Sequence, residues 1–442
     1  MFRFHRLSVA ALAATLIAAP IPAAAQRAPA ALAAASSPES VGFSSARLEK
    51  LDAAMAQAVA DGRVAGISTL LLRHGKVVSF KTHGLASLET QAPLRSDSIY
   101  RIYSMTKPVT GVAMMILFEE GKWRLDDPIS LHVPEFKDLK VMTGVDEAGQ
   151  PVLAPMTREP TMRELMSHTA GFGYGLRDDN PIDRMFREKQ VLGSSSLQQM
   201  VERTATIPLM FQPGTNWSYS IAVDVQGHIV EKLSGQSLGD FMRTRIFEPL
   251  KMKDTGFHVP EAQAGRLSSL YVGDPRTGRI VEATTLFGGP AQDYTKPPAM
   301  ESGGGGLVST ASDYARFAQM LVNGGELDGA RILAPSTVEL MATDVIPETA
   351  RVSSNGTVAQ QFNDAVGFGL DLMVVNDPRK AGSLEGEGTM SWGGAAGTWF
   401  WADPENDVVF VGMVQRMGGL GGLDIRGLSR TLVYQALIDP AR

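Results

Sequence analysis

Sequence able to form β-strands is confined to the two ends of this chain, and the long middle is helical or broken by Pro and Gly. Near the N-terminus, Ile67–Leu72 and Val77–Phe80 are short apolar runs joined at His74-Gly75, the pattern of a β-hairpin. Toward the C-terminus, Phe368–Val375, Thr398–Ala402 and Val408–Val414 are β-branched or aromatic and bounded by turn signals. Helices are predicted from about Ser44 to Asp61, after Ser104 to near Gly121, and from about Gly427 to Ile438. The simplest fold is α/β plus all-α: one α/β unit built from both chain ends, with a helical portion inserted and a site in the crevice between them. The expected boundaries are 38–124 and 297–442 for the α/β part and 125–296 for the helical part. With 442 residues the chain can bury a core of that size.

The N-terminus reads as an address. Arg3, His5 and Arg6 precede an apolar run, Leu7 to Ala19, which leads through Pro20 and Pro22 to Ala23-Ala24-Ala25. That is the charged, apolar and small-residue series of a secretory signal, so cleavage is expected after Ala25. The run falls short of the roughly 18 residues a membrane span needs. Residues 1–25 are therefore expected to be a signal peptide, 26–37 a flexible Ala- and Ser-rich lead-in, and 38–442 the folded domain. The protein is expected to be exported, periplasmic or secreted, with no stable membrane anchor. A net charge of -6 and the lack of any long basic run argue against a nucleic-acid partner. The absence of cysteine excludes a thiol nucleophile and thiolate metal sites.

The chemistry centres on Ser104-Met105-Thr106-Lys107 at a predicted helix N-terminus. Residues three apart share a helix face, so the lysine amine can sit beside the serine hydroxyl and share its proton without a histidine. The unpaired N–H groups of a helix start favour an oxyanion there. Tyr219, within Gln212–Ser220, is a second candidate, because a phenol becomes a usable base only when a cation such as Lys107 lies close. Trp392-Gly393-Gly394-Ala395 places little side-chain bulk on a strand, where a substrate can approach and an N–H can complete an oxyanion hole with that of Ser104. A rival nucleophile is Ser237 in Gly235-Gln236-Ser237-Leu238-Gly239, which matches a G-x-S-x-G elbow. That elbow needs a strand before it and an acid then a histidine after it. The preceding segment is helical, and His258, the last histidine, follows too soon, so Ser237 reads as a helix cap. The seven histidines show no metal spacing, His168 reads as a loop hydrogen-bonder, and no cofactor or metal is expected.

The order of these motifs, serine-lysine, then tyrosine, then a glycine-rich strand, resembles the serine β-lactamase and penicillin-binding-protein superfamily. Gly121–Pro128, Met166–Gly171, Gln212–Ser220 and Gly304–Asp313 look like the class C β-lactamase-like branch. Within it, the Trp-Gly-Gly third motif is similar to that of the family VIII carboxylesterases. The resemblance spans roughly residues 40 to 438. It implies a β-lactamase/transpeptidase-like fold, an antiparallel sheet flanked by helices with a helical domain inserted. It also implies an acyl-enzyme on Ser104, a proton relay of Lys107 and Tyr219, and an oxyanion hole from the backbone N–H groups of Ser104 and Ala395. Trp392, Gly393 and Gly394 would contact substrate.

Two departures bear on substrate. Tyr219-Ser220-Ile221 lacks the asparagine of the β-lactamase Tyr-x-Asn motif, and Trp392 and Gly393 replace the lysine and threonine of Lys-Thr-Gly. The asparagine would hold a substrate amide, and the lysine and threonine would contact a carboxylate, so carboxylate-bearing substrates are expected to lose charge-assisted hydrogen bonds of roughly 1.5–3 kcal/mol each while neutral esters do not. The expected function is an exported serine esterase acting on small carboxylic esters with short acyl chains. The alternatives are a β-lactamase or D-Ala-D-Ala carboxypeptidase, an acyltransferase, and a non-catalytic cell-wall-binding protein. Trp392, Trp399 and Trp401 are candidate apolar walls, with strand alternation expected to turn some of them away. Which of Tyr219 and Lys107 is the formal base stays open at this level.

Overall fold

The computed structural model describes residues 32–439, apart from 275, 287–288 and 354–361, together with Met1. The signal-peptide expectation, apart from Met1, and the first half of the lead-in, residues 26–31, therefore lie outside the described residues. The end of that lead-in is held. The Ala33 carbonyl accepts from Val77 N at 2.8 Å and Ala35 N donates to the Val77 carbonyl at 2.9 Å.

The centre of the molecule is an eight-stranded sheet drawn from both chain ends. Its strands are β1 (Gly66–Arg73), β2 (Lys76–Ser87), β3 (Ala92–Pro93), β4 (Val366–Phe368), β5 (Met373–Val375), β6 (Met390–Gly393), β7 (Trp399–Asp403) and β8 (Val408–Met413), in the order β4-β5-β6-β7-β8-β1-β2-β3. Every pairing is antiparallel. Helices cover both faces, so central strands are buried on both sides and read as near-continuous apolar runs. Register then sorts the side chains. Leu70, Val411 and Phe400 lie in one row and join the larger core, while the adjacent row of Leu71, Phe410 and Trp401 faces the smaller one.

Helices α1 (Ser45–Ala60) and α5 (Ile425–Tyr434) cover the second face, burying Leu48, Leu51, Met55, Ile425 and Val433. Between them sit Trp399 and Trp401, fully buried, with Trp401 stacked on Phe410 at 4.3 Å. Neither is a wall of the candidate site; alternation along β7 sends both to the far face. The first face packs on α4 (Ala311–Val322), and α2 (Thr106–Glu119) and α3 (Ala222–Ser234), packed on each other, extend the same core. Residues Thr106–Leu117 are all buried, which suits a segment apolar nearly all round. Pro108 lies in the first turn, where its missing N–H costs nothing, and Gly121 at φ 70 ends the helix.

Two expectations need correction. Phe368–Val375 is not one strand: β4 and β5 pair across a turn in which Asp371 has φ 64. Leu370 and Leu372 in that turn are fully buried, so their apolar character serves core packing rather than a strand. The middle segment also contains strands. Lys140–Val145 pairs with Pro151–Pro155, and Tyr271–Gly273 pairs with Ile280–Glu282 and, in parallel, with Arg416–Met417. These strands are short and largely exposed, so they carry no alternation to read. The last pairing ties the middle of the chain to its C-terminal end, and residues from Leu32 onward form one compact unit. No helix among the described residues is long and apolar enough to cross a membrane.

Candidate active site

Ser104 lies in a single 3₁₀ turn, Tyr103–Met105, that leads directly into α2, one step before the α-helical turn expected for it. Tyr103 holds φ 43, a left-handed conformation that a bulky residue adopts only when its surroundings enforce it. The enforcement is visible: the Ile102 carbonyl accepts from Met105 N at 3.0 Å, and the Tyr103 side chain packs against Leu270, Ala283 and Ala396. The Ser104 N–H makes no hydrogen bond among the described residues.

Lys107 follows on the same face and is fully buried. Its ammonium donates to the Gly304 carbonyl at 2.6 Å, to the Tyr174 hydroxyl at 3.3 Å and to Ser104 Oγ at 3.4 Å. Nζ also lies 4.5 Å from the centre of the Tyr219 ring and 5.1 Å from that of Tyr174. Burial, the largest single influence, pushes the ammonium's pKa down. Its electrostatic interactions with Tyr174, Tyr219 and Asp224 outweigh it, and the net shift is upward.

The Tyr219 hydroxyl is buried and has no partner among the described residues. Its ring is held by neighbours: His168 at 5.0 Å, Tyr174 at 5.5 Å and Trp392 at 5.7 Å between centres. His168 fixes the motif from behind. Its carbonyl accepts from Ser218 N at 3.0 Å, and its Nδ1 accepts from Ser220 N at 3.2 Å and lies 2.9 Å from Ser220 Oγ. Burial and the Lys107 charge keep the ring's pKa well below the ordinary histidine value, so it is neutral.

Trp392 and Gly393 end strand β6, and Gly394 and Ala395 turn the chain toward β7. Gly394 N donates to the Thr398 carbonyl at 2.8 Å, closing the turn, while the Ala395 N–H is unpaired among the described residues. The glycine at 394 is required by contact: a Cβ there would lie 2.3 Å from the Ile102 carbonyl oxygen, two residues before Ser104. The turn and the Ser104 segment are thus packed backbone to backbone. Next to it, a Cβ on Gly393 would meet the Arg426 guanidinium at 2.3 Å. Arg426 Nη2 donates to the Gly394 and Thr398 carbonyls at 3.2 and 3.3 Å. Of the three expected tryptophan walls, Trp392 alone faces the site, packed against Tyr219 and Phe368.

The structure therefore brings Ser104, Lys107, Tyr219, Trp392, Gly393, Gly394 and Ala395 into one neighbourhood. Ser237 stays out of it. It caps the helix Leu238–Met242, with Oγ accepting from Asp240 N at 3.1 Å, after Gly235 ends α3 at φ 72.

Three residues escaped the sequence reading. Tyr174 and the Gly304 carbonyl hold the ammonium directly. Asp224, fully buried, accepts from Ser302 Oγ and from Gly304 N at 3.1 Å, and so positions that carbonyl. Burial raises the Asp224 carboxyl above its ordinary pKa. The glycine run at 303–306 carried the signal. A Cβ at Gly303 would lie 2.6 Å from the Val223 carbonyl, and one at Gly304 2.3 Å from Asp224 Oδ2, so the run marks a close approach to α3. Among the described residues no group of three or more His, Asp or Glu side chains forms a metal site.

Comparison with known proteins follows from this geometry. The family described as Beta-lactamase matches residues 51–434. Esterase EstB of Burkholderia gladioli is 31% identical over 365 residues, covering 79% of this chain and 86% of its own. Protein Rv1367c of Mycobacterium tuberculosis is 36% identical over 363 residues, with 80% and 86% covered. Among solved structures, EstCE1, titled a hydrolase with promiscuous acyltransferase activity, superposes with a TM-score of 0.71 at 26% identity, covering 88% of this chain and 99% of that one.

Proposed function

This chain belongs to the β-lactamase family, and from that premise we propose that it is an exported serine esterase that hydrolyses neutral carboxylic esters through an acyl-enzyme on Ser104. It is a serine hydrolase of the carboxylesterase type, as its likeness to EstB and EstCE1 supports. The observation that carries the finer reading is the buried Lys107 ammonium, set between the Ser104 hydroxyl and the Tyr219 ring.

The steps balance as follows. Ser104 Oγ attacks the ester carbonyl carbon while Tyr219 and Lys107, acting as one relay, take the serine proton. The tetrahedral oxyanion accepts from the Ser104 and Ala395 N–H groups, both unpaired in the resting site. The C–O bond to the alcohol then breaks, and the alkoxide leaves with the proton from the relay. Water enters, loses a proton to the relay and attacks the acyl carbon; Ser104 departs and regains the proton. A preference for short acyl chains is checked by comparing p-nitrophenyl butyrate with longer-chain p-nitrophenyl esters. Export rests on the series Arg3 to Ala25 and is checked by N-terminal sequencing of the protein recovered from the periplasm.

The test is hydrolysis of p-nitrophenyl butyrate by the parent and by Ser104→Ala. Activity that disappears in the variant supports the reading; activity that persists in it refutes Ser104 as nucleophile. One observation favours a second reading. Arg426, on α5 with its guanidinium beside Gly393 of β6, offers a carboxylate partner for a β-lactam or peptide terminus. Turnover of a chromogenic cephalosporin at a rate rivalling the ester would favour it.

A further inference from the structure

Away from the catalytic residues, a cleft of about 380 Å³ opens between the end of α1 and the loop that follows β8, lined by Asp61, Arg63, Gly273, Asp274, Arg416 and Gly421 among others. Two guanidinium groups converge in it. Arg416 is only 8% exposed. Its Nη1 donates to the Arg63 carbonyl at 2.5 Å, and its Nε is buried with no partner among the described residues. Arg63 Nη1 donates to the Gly421 carbonyl at 2.8 Å. Both cations face one space: a Cβ at Gly421 would stand 2.9 Å from Arg63 Nη1 and 3.5 Å from Arg416 Nη2.

Neither guanidinium forms an ion pair with a carboxylate among the described residues. The two carboxylates on the rim are engaged elsewhere. Asp61 accepts from Gln57 Nε2 at 2.6 Å, and Asp274 accepts from Arg276 N and Thr277 Oγ1, each at 2.9 Å. Burial, and then the charge of Arg63, hold the Arg416 guanidinium below its ordinary pKa. A buried cation next to a second cation costs free energy until an anion joins them. The loop over the cleft, Gly418–Gly422, has four glycines at φ 63 to 87, a path that side chains would obstruct.

We propose that this cleft binds a phosphate-type oxyanion, gripped by the forks of Arg63 and Arg416. The site lies directly behind the oxyanion turn, because Arg416 N donates to the Ala396 carbonyl at 2.8 Å. The group can arrive as free phosphate or on a phospholipid headgroup, and two arms separate these sources. The first is titration of the mature protein with inorganic phosphate, followed by calorimetry and by thermal shift against chloride at matched ionic strength. The second is co-sedimentation with phosphatidylglycerol vesicles, with phosphatidylcholine vesicles as control. Arg63→Gln is the main variant, since Arg63 is exposed and its loss leaves the fold intact; Arg416→Met is the second.

Phosphate binding that weakens about tenfold or more in Arg63→Gln supports the site with a free ligand. Vesicle binding lost in that variant, without phosphate binding, supports it with a lipid source. Binding in neither arm, or binding unchanged by Arg63→Gln, overturns the proposal. Both readouts are independent of ester hydrolysis, so they stand or fall apart from the catalytic assignment.

Discussion

Adjacent glycines in the third motif should respond to the same substitution in opposite ways. A Cβ at Gly394 would lie 2.3 Å from both the Ile102 carbonyl oxygen and Thr398 Oγ1, and real Cβ contacts essentially never fall under 3.0 Å. In Gly394→Ala the 394–398 turn must therefore retreat from the Ser104 segment by about 0.7 Å or more, carrying the Ala395 N–H with it. Loss of one oxyanion donor costs about 10²–10³ in rate, and a misplacement near 1 Å can cost about 10². We expect kcat/KM for p-nitrophenyl butyrate to fall about a hundredfold, mostly in kcat, with a stability loss of about 1–3 kcal/mol from overpacking. In Gly393→Ala the nearest atoms to the new methyl belong to the Arg426 guanidinium, the far end of a flexible side chain. That variant should stay within about threefold of the parent, as side-chain adjustment costs little. Both are assayed at a temperature where circular dichroism shows them folded. If Gly394→Ala keeps more than about a third of the parental kcat/KM, or if the two variants lose activity equally, the packing of this turn does not set the oxyanion geometry.

Lys107→Met should lower kcat about 10³-fold or more while leaving the protein folded, because methionine keeps the stem but removes the amine from between Ser104 and Tyr219; near-parental turnover would sink the relay. Asp371 is fully buried, with Oδ1 accepting from Gln226 Nε2 at 3.0 Å, and burial pushes its pKa well above the ordinary aspartate value. A carboxyl raised on folding gives its full stability below about pH 4 and loses it as pH climbs toward its folded value. Asp371→Asn cannot ionise, so its melting temperature should exceed the parent's at pH 8 and converge with it in acid; a variant less stable at pH 8 would contradict this. Arg426→Gln should lower ester kcat modestly, by about threefold, through loss of its bonds to the Gly394 and Thr398 carbonyls. A loss confined to carboxylate-bearing substrates would instead mark Arg426 as their anchor.

How much of this was legible in the sequence depended on whether a feature was local. Ser104 and Lys107 announce themselves through a three-residue spacing, and Gly121 and Gly235 mark helix ends through the one residue suited to φ near 70. Ser237 was separable from a nucleophile on the same grounds. Tyr174, Asp224 and Gly304 could not be read this way, because they meet only in space and one of them acts through a backbone carbonyl. The segment Phe368–Val375 misled because two buried leucines in a turn look like strand residues. The hairpin at 140–155 was invisible because exposed strands carry no hydrophobic period.

The arrangement around Lys107 bears on substrate as much as on rate. An ammonium has three N–H donors, and here three acceptors surround it: the Gly304 carbonyl, the Tyr174 hydroxyl and Ser104 Oγ. Each donor is committed, so Lys107 has none to offer a substrate's carboxylate without giving up its hold on the nucleophile or its own position. The other faces around Tyr219 are aromatic, formed by Trp217, Trp392 and Phe368. A neutral ester can displace water from such walls at no electrostatic cost, whereas a carboxylate would surrender its hydration and find only Arg426 in return. On this argument Trp392, standing where the β-lactamase pattern has a lysine, should favour uncharged acyl donors, and parental turnover of a carboxylate-bearing ester equal to that of its neutral analogue would refute it.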